Sequence, residues 1–446
     1  MEGFEGTGES EQALGALNST VVNYDDPEFW DRKSLRRELI RQFDVCHGCR
    51  MCVNYCPSFP TLFKFVDKYD GDAHQLTRQE TDRVVDLCFN CKLCFVKCPY
   101  TPPHEFMIDL PKLVQRDRAQ RAKKKKLTLT EKILSNPELL GKVSSLIAPV
   151  ANFANTNMLG RIVVEATAGI DHRAILPAFQ RETFMKWWNK RLAQKKASAQ
   201  TATNGKVALF HTCMVNYQSP QIGKDLVAVL EKNNVEIVVP EGQRCCGMPQ
   251  LDAGDVVEAR QMMQHNVNLL NKYVKQGYDV IVPEPTCSMM LRKEYKDQIP
   301  GAKTENVAAH TFDALEYLFK MKRAGKLNTD FKNAPGKLVY HMPCHLKYQA
   351  IGKRSFDLLK SIPGTDITFI DKGCCGHSGS WGMRKENYDA GMKVGNGLFE
   401  EVKKQKEARV VTDCQLAGLQ IQQGTGKPAS HPIEIVAEAY GLKDKK

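Results

Sequence analysis

Short apolar runs alternate with helix-like segments in the second half of the 446-residue chain. Runs of Val, Ile and Leu bounded by polar residues indicate buried strands, whereas apolar positions three or four residues apart indicate helices. The strand-like runs lie at 207–210, 237–239, 280–282, 338–340, 367–370 and 410–411. Helix-like segments such as 226–230 and 266–274 separate them. This alternation predicts two successive α/β units.

The first half of the chain has a helical pattern instead. Apolar positions at Val84, Val85 and Leu87 predict a helix over about 77–87. A strongly basic segment at 112–126 comes next and contains a single acidic residue. The apolar positions of the amphipathic stretch that follows are Leu127, Ile133, Leu139 and Leu140.

The chain is net basic, since 63 Lys and Arg residues against 51 Asp and Glu residues leave a charge of +12. This excess favours an anionic partner, which is an acidic protein, a phospholipid surface or nucleic acid. The N-terminal sequence MEGFEGTGESEQ lacks the basic and apolar regions of a secretory signal. The most apolar stretch, 143–159, is interrupted by Ser, Pro and Asn, so a membrane-spanning helix is not expected. We expect a cytoplasmic protein with a peripheral position on the inner face of the cell membrane.

The basic segment has two interpretations of equal weight. Together with the amphipathic stretch it suits an anionic membrane surface, but a charged connector between domains has the same composition. Nucleic-acid binding is disfavoured because the segment lacks interleaved aromatic residues for base stacking. Phe184, Trp187 and Trp188 either anchor the chain at an interface or pack in a core. The polar segment 193–205 predicts a linker.

Sixteen cysteines fall into patterned groups, which favours metal binding over the disulfide frameworks of small secreted domains. The first eight form the motif C-x2-C-x2-C-x3-C-P twice. In this motif three cysteines hold one [4Fe–4S] cluster and the fourth ligates the other cluster. The predicted ligands are Cys46, Cys49, Cys52 and Cys98 for one cluster, and Cys88, Cys91, Cys94 and Cys56 for the other. Two structural zinc sites are the alternative, but zinc requires neither the third cysteine nor the proline.

The other eight cysteines indicate an internal duplication. The set Cys213, Cys245, Cys246 and Cys287 recurs as Cys344, Cys374, Cys375 and Cys414 at nearly constant offsets. The glycine after each cysteine pair permits a tight turn. Because the cysteines follow predicted strands, we expect them to gather at one edge of each sheet and to bind further iron–sulfur clusters. Buried cysteines without a ligand role are the alternative.

These motifs resemble known families. The first eight cysteines and the helix between them are similar to the helical ferredoxin module of succinate dehydrogenase iron–sulfur subunits and heterodisulfide reductase C subunits. The second eight resemble the cysteine-rich CCG domain, which occurs twice in heterodisulfide reductase B subunits. From about residue 40 onward the chain looks like the iron–sulfur C subunit of anaerobic glycerol-3-phosphate dehydrogenase. The matching runs are YHMPCHLK at 340–347, KENY at 385–388, TDC at 412–414 and HPI at 431–433.

The chain departs from the reductase pattern at the end of each CCG motif. The reductases continue with C-x2-C, whereas here Met290 follows Cys287 and Ala417 follows Cys414 at that spacing. The resemblance implies an unusual non-cubane cluster at each site, which the missing fifth thiol puts in doubt. Four thiolates per repeat still suffice for one ordinary cluster. Nearby histidines that are candidates for ligation or proton transfer are His211, His341, His345 and His377.

The predicted function is that of an electron-transfer subunit. No G-x-G-x-x-G fingerprint follows a predicted strand, so the flavin or dinucleotide is expected on another polypeptide. The resemblance implies a flavoprotein dehydrogenase partner that oxidises glycerol-3-phosphate, lactate or glycolate, and a quinone or another membrane carrier as the second partner. Two alternatives are a disulfide-cleaving reductase and an iron–sulfur regulator that binds nucleic acid through the basic segment.

The expected fold is a multidomain α/β protein in which a helical two-[4Fe–4S] ferredoxin-like domain precedes two duplicated α/β CCG domains. The predicted segments are a polar N-terminal tail at 1–38, the ferredoxin-like domain at 39–111, a basic and amphipathic helical connector at 112–204, the first CCG domain at 205–335 and the second at 336–446.

Overall fold

The computed structural model describes residues 23–194 and 204–442. Most of the predicted N-terminal tail and most of the predicted linker at 193–205 lie outside the described residues. The described chain forms two compact units. The first extends to Leu127 and includes the segment Leu251–Val256, and the second contains Thr128–Gln250 and the chain from Val257 onward. The predicted connector at 112–204 is therefore divided between the two units.

The first unit is helical. Its α-helices are Arg32–Cys49, Ser58–Asp67, Arg78–Leu87, Leu93–Lys97 and Leu110–Lys124, and its 3-10 turns are Pro27–Trp30 and Ala73–Gln75. The first helix begins inside the predicted tail because the Asp31 carboxylate accepts a hydrogen bond from the backbone N–H of Ser34 at 2.6 Å. Phe29 and Leu35 are fully buried, so the polar tail is shorter than the sequence pattern predicts.

The helix predicted over 77–87 is confirmed. It begins with a capping box in which the Thr77 hydroxyl accepts from the backbone N–H of Glu80 and the Glu80 carboxylate accepts from that of Thr77. Its predicted apolar positions, Val84, Val85 and Leu87, are all buried. The helix therefore ends against the core of the first unit, immediately before Cys88.

The basic helix Leu110–Lys124 is largely buried. Arg116 is fully buried and its Nε donates to the carbonyl oxygen of Phe29 at 2.9 Å. Arg121 forms ion pairs with Asp82 at 3.0 Å and Asp86 at 2.8 Å. These cations stabilise the first unit internally, so the part of this segment left exposed as a charged surface is Lys123–Lys126.

The second unit starts with short helices and continues into the two repeats, except for the segment Leu251–Val256 of the first repeat, which belongs to the first unit. The helices before the first repeat are Leu129–Leu134, Pro137–Leu146, Ala148–Thr156, Met158–Ala168 and Phe184–Gln194. Those of the first repeat are Cys213–Tyr217, Pro220–Lys232, Met248–Ala253, Val256–Val274, Pro285–Met289, Tyr295–Gln298, Ala302–Ala309 and Ala314–Arg323, with a π-helical turn at Met290–Glu294. Those of the second repeat are Cys344–Tyr348, Arg354–Lys360, Tyr388–Lys404, Gln415–Thr425 and Pro432–Ala439, with a 3-10 turn at Trp381–Met383.

Each repeat contains a four-stranded parallel sheet. The strands of the first are β1 (Lys206–Leu209), β2 (Glu236–Val238), β3 (Asp279–Val282) and β4 (Thr311–Asp313), in the order β2-β1-β3-β4. Those of the second are β5 (Gly336–His341), β6 (Thr365–Ile370), β7 (Arg409–Thr412) and β8 (Ala429–Ser430), in the order β6-β5-β7-β8. The six predicted strands are confirmed, and the structure adds β4 and β8.

The register is the same in both sheets. In the first sheet Val207 pairs with Ile237 on one side and with Asp279 on the other. In the second, Leu338 pairs with Ile367 and Arg409. The strand order therefore reverses beside β1 and beside β5, and in α/β sheets such a switch point is where ligands bind.

The two repeats share one hydrophobic core. The helix Pro220–Lys232 of the first repeat packs against Pro432–Ala439 of the second, and Arg354–Lys360 of the second packs against Ala314–Arg323 of the first. Leu209 and Leu338 belong to the same buried cluster. This reciprocal packing joins the sheets into one unit. Among the described residues, no helix is both long and apolar enough to cross a membrane.

Candidate metal centres

The first group of thiols is built around the end of helix Arg32–Cys49. Cys46 and Cys49 lie in its last turn, and Arg50 adopts a left-handed conformation at φ 54° that ends the helix. Cys52 follows this turn. Cys98, from the second motif, is an electrostatic neighbour of Cys46 and Cys52. The structure therefore brings one cysteine of the second motif to three of the first.

The second group repeats this geometry 42 residues later. Lys92 follows Cys91 as Arg50 follows Cys49, and it is also left-handed, at φ 60°. Cys94 has Cys91, Cys88 and Cys56 as charged neighbours when the thiols ionise. The four thiols of this group are those of Cys56, Cys88, Cys91 and Cys94.

In each CCG repeat the cysteines lie beyond the carboxyl ends of the strands. Cys213 follows β1, Cys245 and Cys246 follow β2, and Cys287 follows β3. They meet at the switch point of the sheet, where the Cys213 thiol donates to Cys245 and lowers the pKa of Cys245 well below its usual value. Cys246 and Cys287 are also in hydrogen-bond contact.

Side chains from several elements hold the first cysteine pair in place. The Asn266 amide donates to the carbonyl oxygen of Cys245 at 3.1 Å, and the Tyr295 hydroxyl donates to that of Cys246 at 3.1 Å. The Cys245 backbone N–H donates to the Glu138 carboxylate at 3.0 Å. Glu138 lies outside the motifs, in helix Pro137–Leu146. The pair is thus fixed by polar contacts that the spacing of the cysteines does not reveal.

The second repeat holds its cysteine pair through close backbone packing. Gly376 has φ 82°, and a Cβ at this position would lie 2.0 Å from the carbonyl oxygen of Gly391 in helix Tyr388–Lys404. The Gly376 backbone N–H donates to Cys374 Sγ at 3.3 Å. Cys344 accepts a hydrogen bond from Cys374, which lowers the pKa of Cys344. Cys414 is an electrostatic neighbour of Cys344 and Cys375.

Family comparisons match both halves of this arrangement. The Citrate utilization protein B Fer4-like domain matches residues 39–124, and the cysteine-rich CCG domain matches residues 207–292 and 338–422. The C subunit of anaerobic glycerol-3-phosphate dehydrogenase from Escherichia coli (strain K12) is 34% identical over 328 residues, which are 72% of this chain and 81% of the relative. This chain belongs to the family of that iron–sulfur protein.

Two further relatives are more distant. The B subunit of the CoM/CoB fumarate reductase from Methanothermobacter marburgensis is 27% identical over 237 residues, 52% of this chain and 44% of the relative. Lactate utilization protein A of Geobacillus sp. (strain WCH70) is 28% identical over 187 residues, 40% of this chain and 75% of the relative. As a member of the glycerol-3-phosphate dehydrogenase C family with these domains, the chain is an iron–sulfur electron-transfer protein.

The thiol groups fit an iron–sulfur cofactor. All sixteen cysteines are free of disulfide bonds. Burial raises the pKa of Cys52 to about 12 and that of Cys88 to about 11, so a bound cation is needed to stabilise several thiolates together. The Tyr100 backbone N–H donates to Cys98 Sγ at 3.4 Å, which is the kind of contact that tunes a cluster.

The candidate histidines differ in whether their Nδ1 atom has a hydrogen-bond partner. His345 Nδ1 lies 2.9 Å from the Thr286 hydroxyl, and His211 Nδ1 donates to the carbonyl oxygen of Thr212 at 3.1 Å. By contrast, Nδ1 of His341 and Nδ1 of His377 are buried without a hydrogen-bond partner among the described residues. Burial lowers the pKa of His341 to about 3 and that of His377 to about 4, so both rings are neutral at pH 7.

Buried carboxyl groups also lie beside the CCG loops. Burial raises the pKa of Glu284 to about 8 and that of Asp413 to about 6. Glu284 accepts a hydrogen bond from the backbone N–H of Gln415 at 3.2 Å and so links the first repeat to the second. The Tyr340 hydroxyl donates to Asp413 at 2.5 Å. Motif analysis missed Glu138 and Glu284, because neither has a regular spacing from the cysteines.

Proposed function

We propose that this protein carries electrons between a flavoprotein dehydrogenase subunit and a membrane quinone. Two [4Fe–4S] clusters are bound by Cys46, Cys49, Cys52 and Cys98 and by Cys88, Cys91, Cys94 and Cys56. Additional clusters are bound by the CCG cysteines Cys213, Cys245, Cys246 and Cys287 and by Cys344, Cys374, Cys375 and Cys414. The higher identity to the glycerol-3-phosphate dehydrogenase relative favours glycerol-3-phosphate as the partner's substrate over lactate or glycolate.

The observation that carries this proposal is the crossed arrangement of the first eight thiols. Cys98 lies with the first motif and Cys56 lies with the second, as two neighbouring clusters with exchanged fourth ligands require. Arg50 and Lys92 give both motifs the same left-handed turn. A structural zinc protein needs no such exchange between its sites.

The decisive experiment is to purify the full chain anaerobically and to measure iron and acid-labile sulfide per chain, with EPR spectra of the reduced and oxidised forms. We expect more than eight irons per chain. Cys245→Ser and Cys374→Ser should each lower this value and remove a separate EPR signal, because each substitution removes one ligand of one CCG site. A control variant, Val257→Ser, changes an exposed apolar residue outside the motifs and should leave both measurements unchanged.

Either of two results would contradict part of the proposal. About eight irons, unaffected by both cysteine variants, would mean that only the first unit binds clusters. Few irons together with stoichiometric zinc would exclude electron transfer through the thiol groups. If more than eight irons are found, the purified chain is mixed with a reduced flavoprotein dehydrogenase. Reduction of the clusters, recorded by EPR, then tests whether that partner delivers the electrons.

The flavoprotein contact is proposed to lie at the cluster-binding loops of the first unit. Met51 and Val53 lie in the turn between Cys49 and Cys56 and are 60% and 39% exposed. Val96 lies in the short helix Leu93–Lys97 of the second motif and is 40% exposed. Exposed apolar side chains at a cluster edge suit a transient partner that must approach closely. Phe106, which is 38% exposed, is a further exposed apolar residue of the first unit.

We also propose that the second unit contacts an anionic membrane surface, on the inner face of the cell membrane. Twelve of the nineteen exposed large apolar side chains among the described residues lie between Leu129 and Ala168, eleven of them in helices and Ile147 in the turn between two helices. They are Leu129, Ile133, Leu139, Val143, Leu146, Ile147, Val150, Phe153, Met158, Leu159, Ile162 and Val163. We call these side chains the apolar surface. The run Lys123–Lys126 directly precedes it in the chain and suits anionic lipid headgroups.

Vesicle flotation tests the membrane contact. We expect the protein to float with vesicles that contain anionic phospholipid and to float less with purely zwitterionic vesicles. The double variant Val150→Asp with Phe153→Asp should lose flotation because it puts two charges into the apolar surface. The double variant Val257→Asp with Leu442→Asp, which adds two charges at other exposed apolar positions, is the matched control. If both variants floated as well as the wild type, this surface would instead be assigned to a protein partner.

A further inference from the structure

Because the two repeats are duplicates, residues at matching positions occur on both sides of the boundary between the repeats, which we call the seam. The contacts made by matching residues on its two sides can therefore be compared. Gln218 follows Cys213 by five residues, as Gln349 follows Cys344. Gln415 directly follows Cys414, as Ser288 directly follows Cys287. If the seam were symmetric, the contacts of Gln349 with the first repeat would recur between Gln218 and the second.

One side of the seam is closed by hydrogen bonds. Gln349 is 5% exposed, and its Nε2 donates to the carbonyl oxygen of Pro285 at 3.1 Å and to the Ser288 hydroxyl at 2.8 Å. Lys293, from the first repeat, donates to the carbonyl oxygen of Tyr348 at 2.8 Å. The second repeat is therefore fastened here to the loop that carries Cys287.

The other side of the seam contains a cavity. Gln218 and Gln415 do not bond to each other but line a cavity of about 510 Å³, together with Thr412 and Cys414. The Oε1 of Gln218 and the hydroxyl of Thr412 are buried and have no hydrogen-bond partner among the described residues. Thr412 is only 3% exposed. Buried polar groups are normally paired, so these two atoms indicate a ligand with hydrogen-bonding groups.

The lining indicates an uncharged ligand with an apolar body. Glu182 and Lys224 neutralise each other at 2.6 Å, and the Glu434 carboxylate accepts from the backbone N–H of His431 at 2.8 Å. The remaining walls contain amides and hydroxyls beside apolar side chains such as Ile222 and Leu419. The described residues of the lining therefore offer an anionic substrate no unpaired cation.

One wall of the cavity is fastened to the apolar surface. Pro177, Ala178 and Gln180 line the cavity. Between them, Phe179 exchanges two hydrogen bonds with the Asn152 side chain, which donates to its carbonyl oxygen at 2.9 Å and accepts from its N–H at 2.8 Å. Asn152 shares helix Ala148–Thr156 with Val150 and Phe153, which are part of the apolar surface. The cavity is therefore next to the part of the unit best suited to an apolar phase.

We propose that this cavity binds the head group of a quinone. The Thr412 hydroxyl donates to a quinone carbonyl oxygen, and the Oε1 of Gln218 accepts from a hydroxyl group of the reduced form. This proposal rests on the proposed function, because it takes a quinone as the membrane carrier. It adds the residues of this chain that recognise the quinone. The quinone lies against the loop that carries Cys414.

Binding of a water-soluble naphthoquinone to the full chain, purified with its clusters, tests this site by calorimetry without any need for turnover. We expect Thr412→Val and Gln218→Leu each to weaken binding about tenfold, because each removes one hydrogen-bonding group while keeping a side chain of similar size. Ala178→Trp places a large side chain at an exposed position of the cavity wall and should weaken binding at least as much. Gln276→Leu, at an exposed glutamine elsewhere, should bind as the wild type does.

Iron content and unfolding temperature, measured for every variant, show whether the clusters and the fold are intact. Unchanged naphthoquinone affinity in all three cavity variants, or no binding to the wild type, overturns this site. Neither result affects the iron content or the reduction of the clusters by a flavoprotein, so failure of this site is distinguishable from failure of the proposed function.

Discussion

His431 is a single residue whose tautomer is determined by two hydrogen bonds and whose neutral state is determined by burial. Its Nε2–H donates to the carbonyl oxygen of Pro283 at 3.1 Å, and its Nδ1 accepts from the backbone N–H of Ile433 at 3.2 Å. A second proton on Nδ1 would face that N–H group. The ring is buried, and burial lowers the pKa of His431 to about 3. His431 thus links the repeats only while it is neutral.

This residue should make stability depend on pH. Since the pKa of His431 is lower in the folded state, the unfolded chain binds the extra proton, and stability rises with pH between about 3 and 6.5 and is lost on acidification. His431→Asn should reduce this dependence by up to about 1.4 kcal/mol per pH unit in that window. Unfolding transitions of wild type and variant at pH 7 and pH 5 measure the difference.

The control is His74→Asn, at an exposed histidine of the first unit. It should leave the pH dependence as in the wild type. A His431→Asn variant with the same loss of stability between pH 7 and pH 5 as the wild type would show that His431 is not held neutral in the folded protein.

At the scale of elements, the turn after each cysteine pair depends on the helix packed behind it. Gly376 and Gly247 are both left-handed, at φ 82° and φ 88°. A Cβ on Gly376 would lie 2.0 Å from the Gly391 carbonyl oxygen, whereas a Cβ on Gly247 would lie 3.2 Å from that of Ala259. The same motif position is therefore much tighter in the second repeat.

Alanine at these glycines should have unequal effects. Gly376→Ala should lower the free energy of unfolding by about 3 kcal/mol or more, since it adds a backbone clash to the conformational strain, and Gly247→Ala by about 1 kcal/mol. Thermal or urea unfolding of the two variants compares them directly. Similar losses would indicate that helix Tyr388–Lys404 moves away from the turn at little cost.

Sequence patterns predicted some elements better than others. The strands around Val207 and Leu338 are continuous apolar runs, so the local sequence pattern was sufficient to predict them. β4 and β8 were missed because three and two residues are too few for a pattern. The basic helix Leu110–Lys124 was assigned to a surface or a connector, because the partners that bury Arg116 come from a segment more than eighty residues earlier in the chain.

At the scale of the whole molecule, the repeats form one cooperative unit while the first unit has its own core. Ile435, which is 1% exposed, lies in the second repeat but belongs to the same buried cluster as Leu209 of the first. Leu62 belongs to a separate cluster made of residues of the first unit. A defect at Ile435 should therefore weaken both sheets.

Hydrogen exchange measured by mass spectrometry tests this cooperativity. Ile435→Ala should cost about 2–5 kcal/mol and speed exchange in β1–β4 as well as in β5–β8, with helices Arg32–Cys49 and Arg78–Leu87 unaffected. Leu62→Ala, the matched truncation, should speed exchange in those helices instead. Faster exchange confined to β5–β8 in Ile435→Ala would show that the repeats unfold separately.

The sequence alone determined the duplication, the strands that carry the cysteines and the family resemblance, because these depend on residue types at short, regular spacings. Tertiary structure decided the rest. Glu138 reaches Cys245 from a helix more than a hundred residues earlier, and Gln218 lines an open cavity where its equivalent Gln349 is bonded. Such differences arise from how distant segments pack, and equivalent sequence positions in two repeats carry no information about which side of their seam is closed.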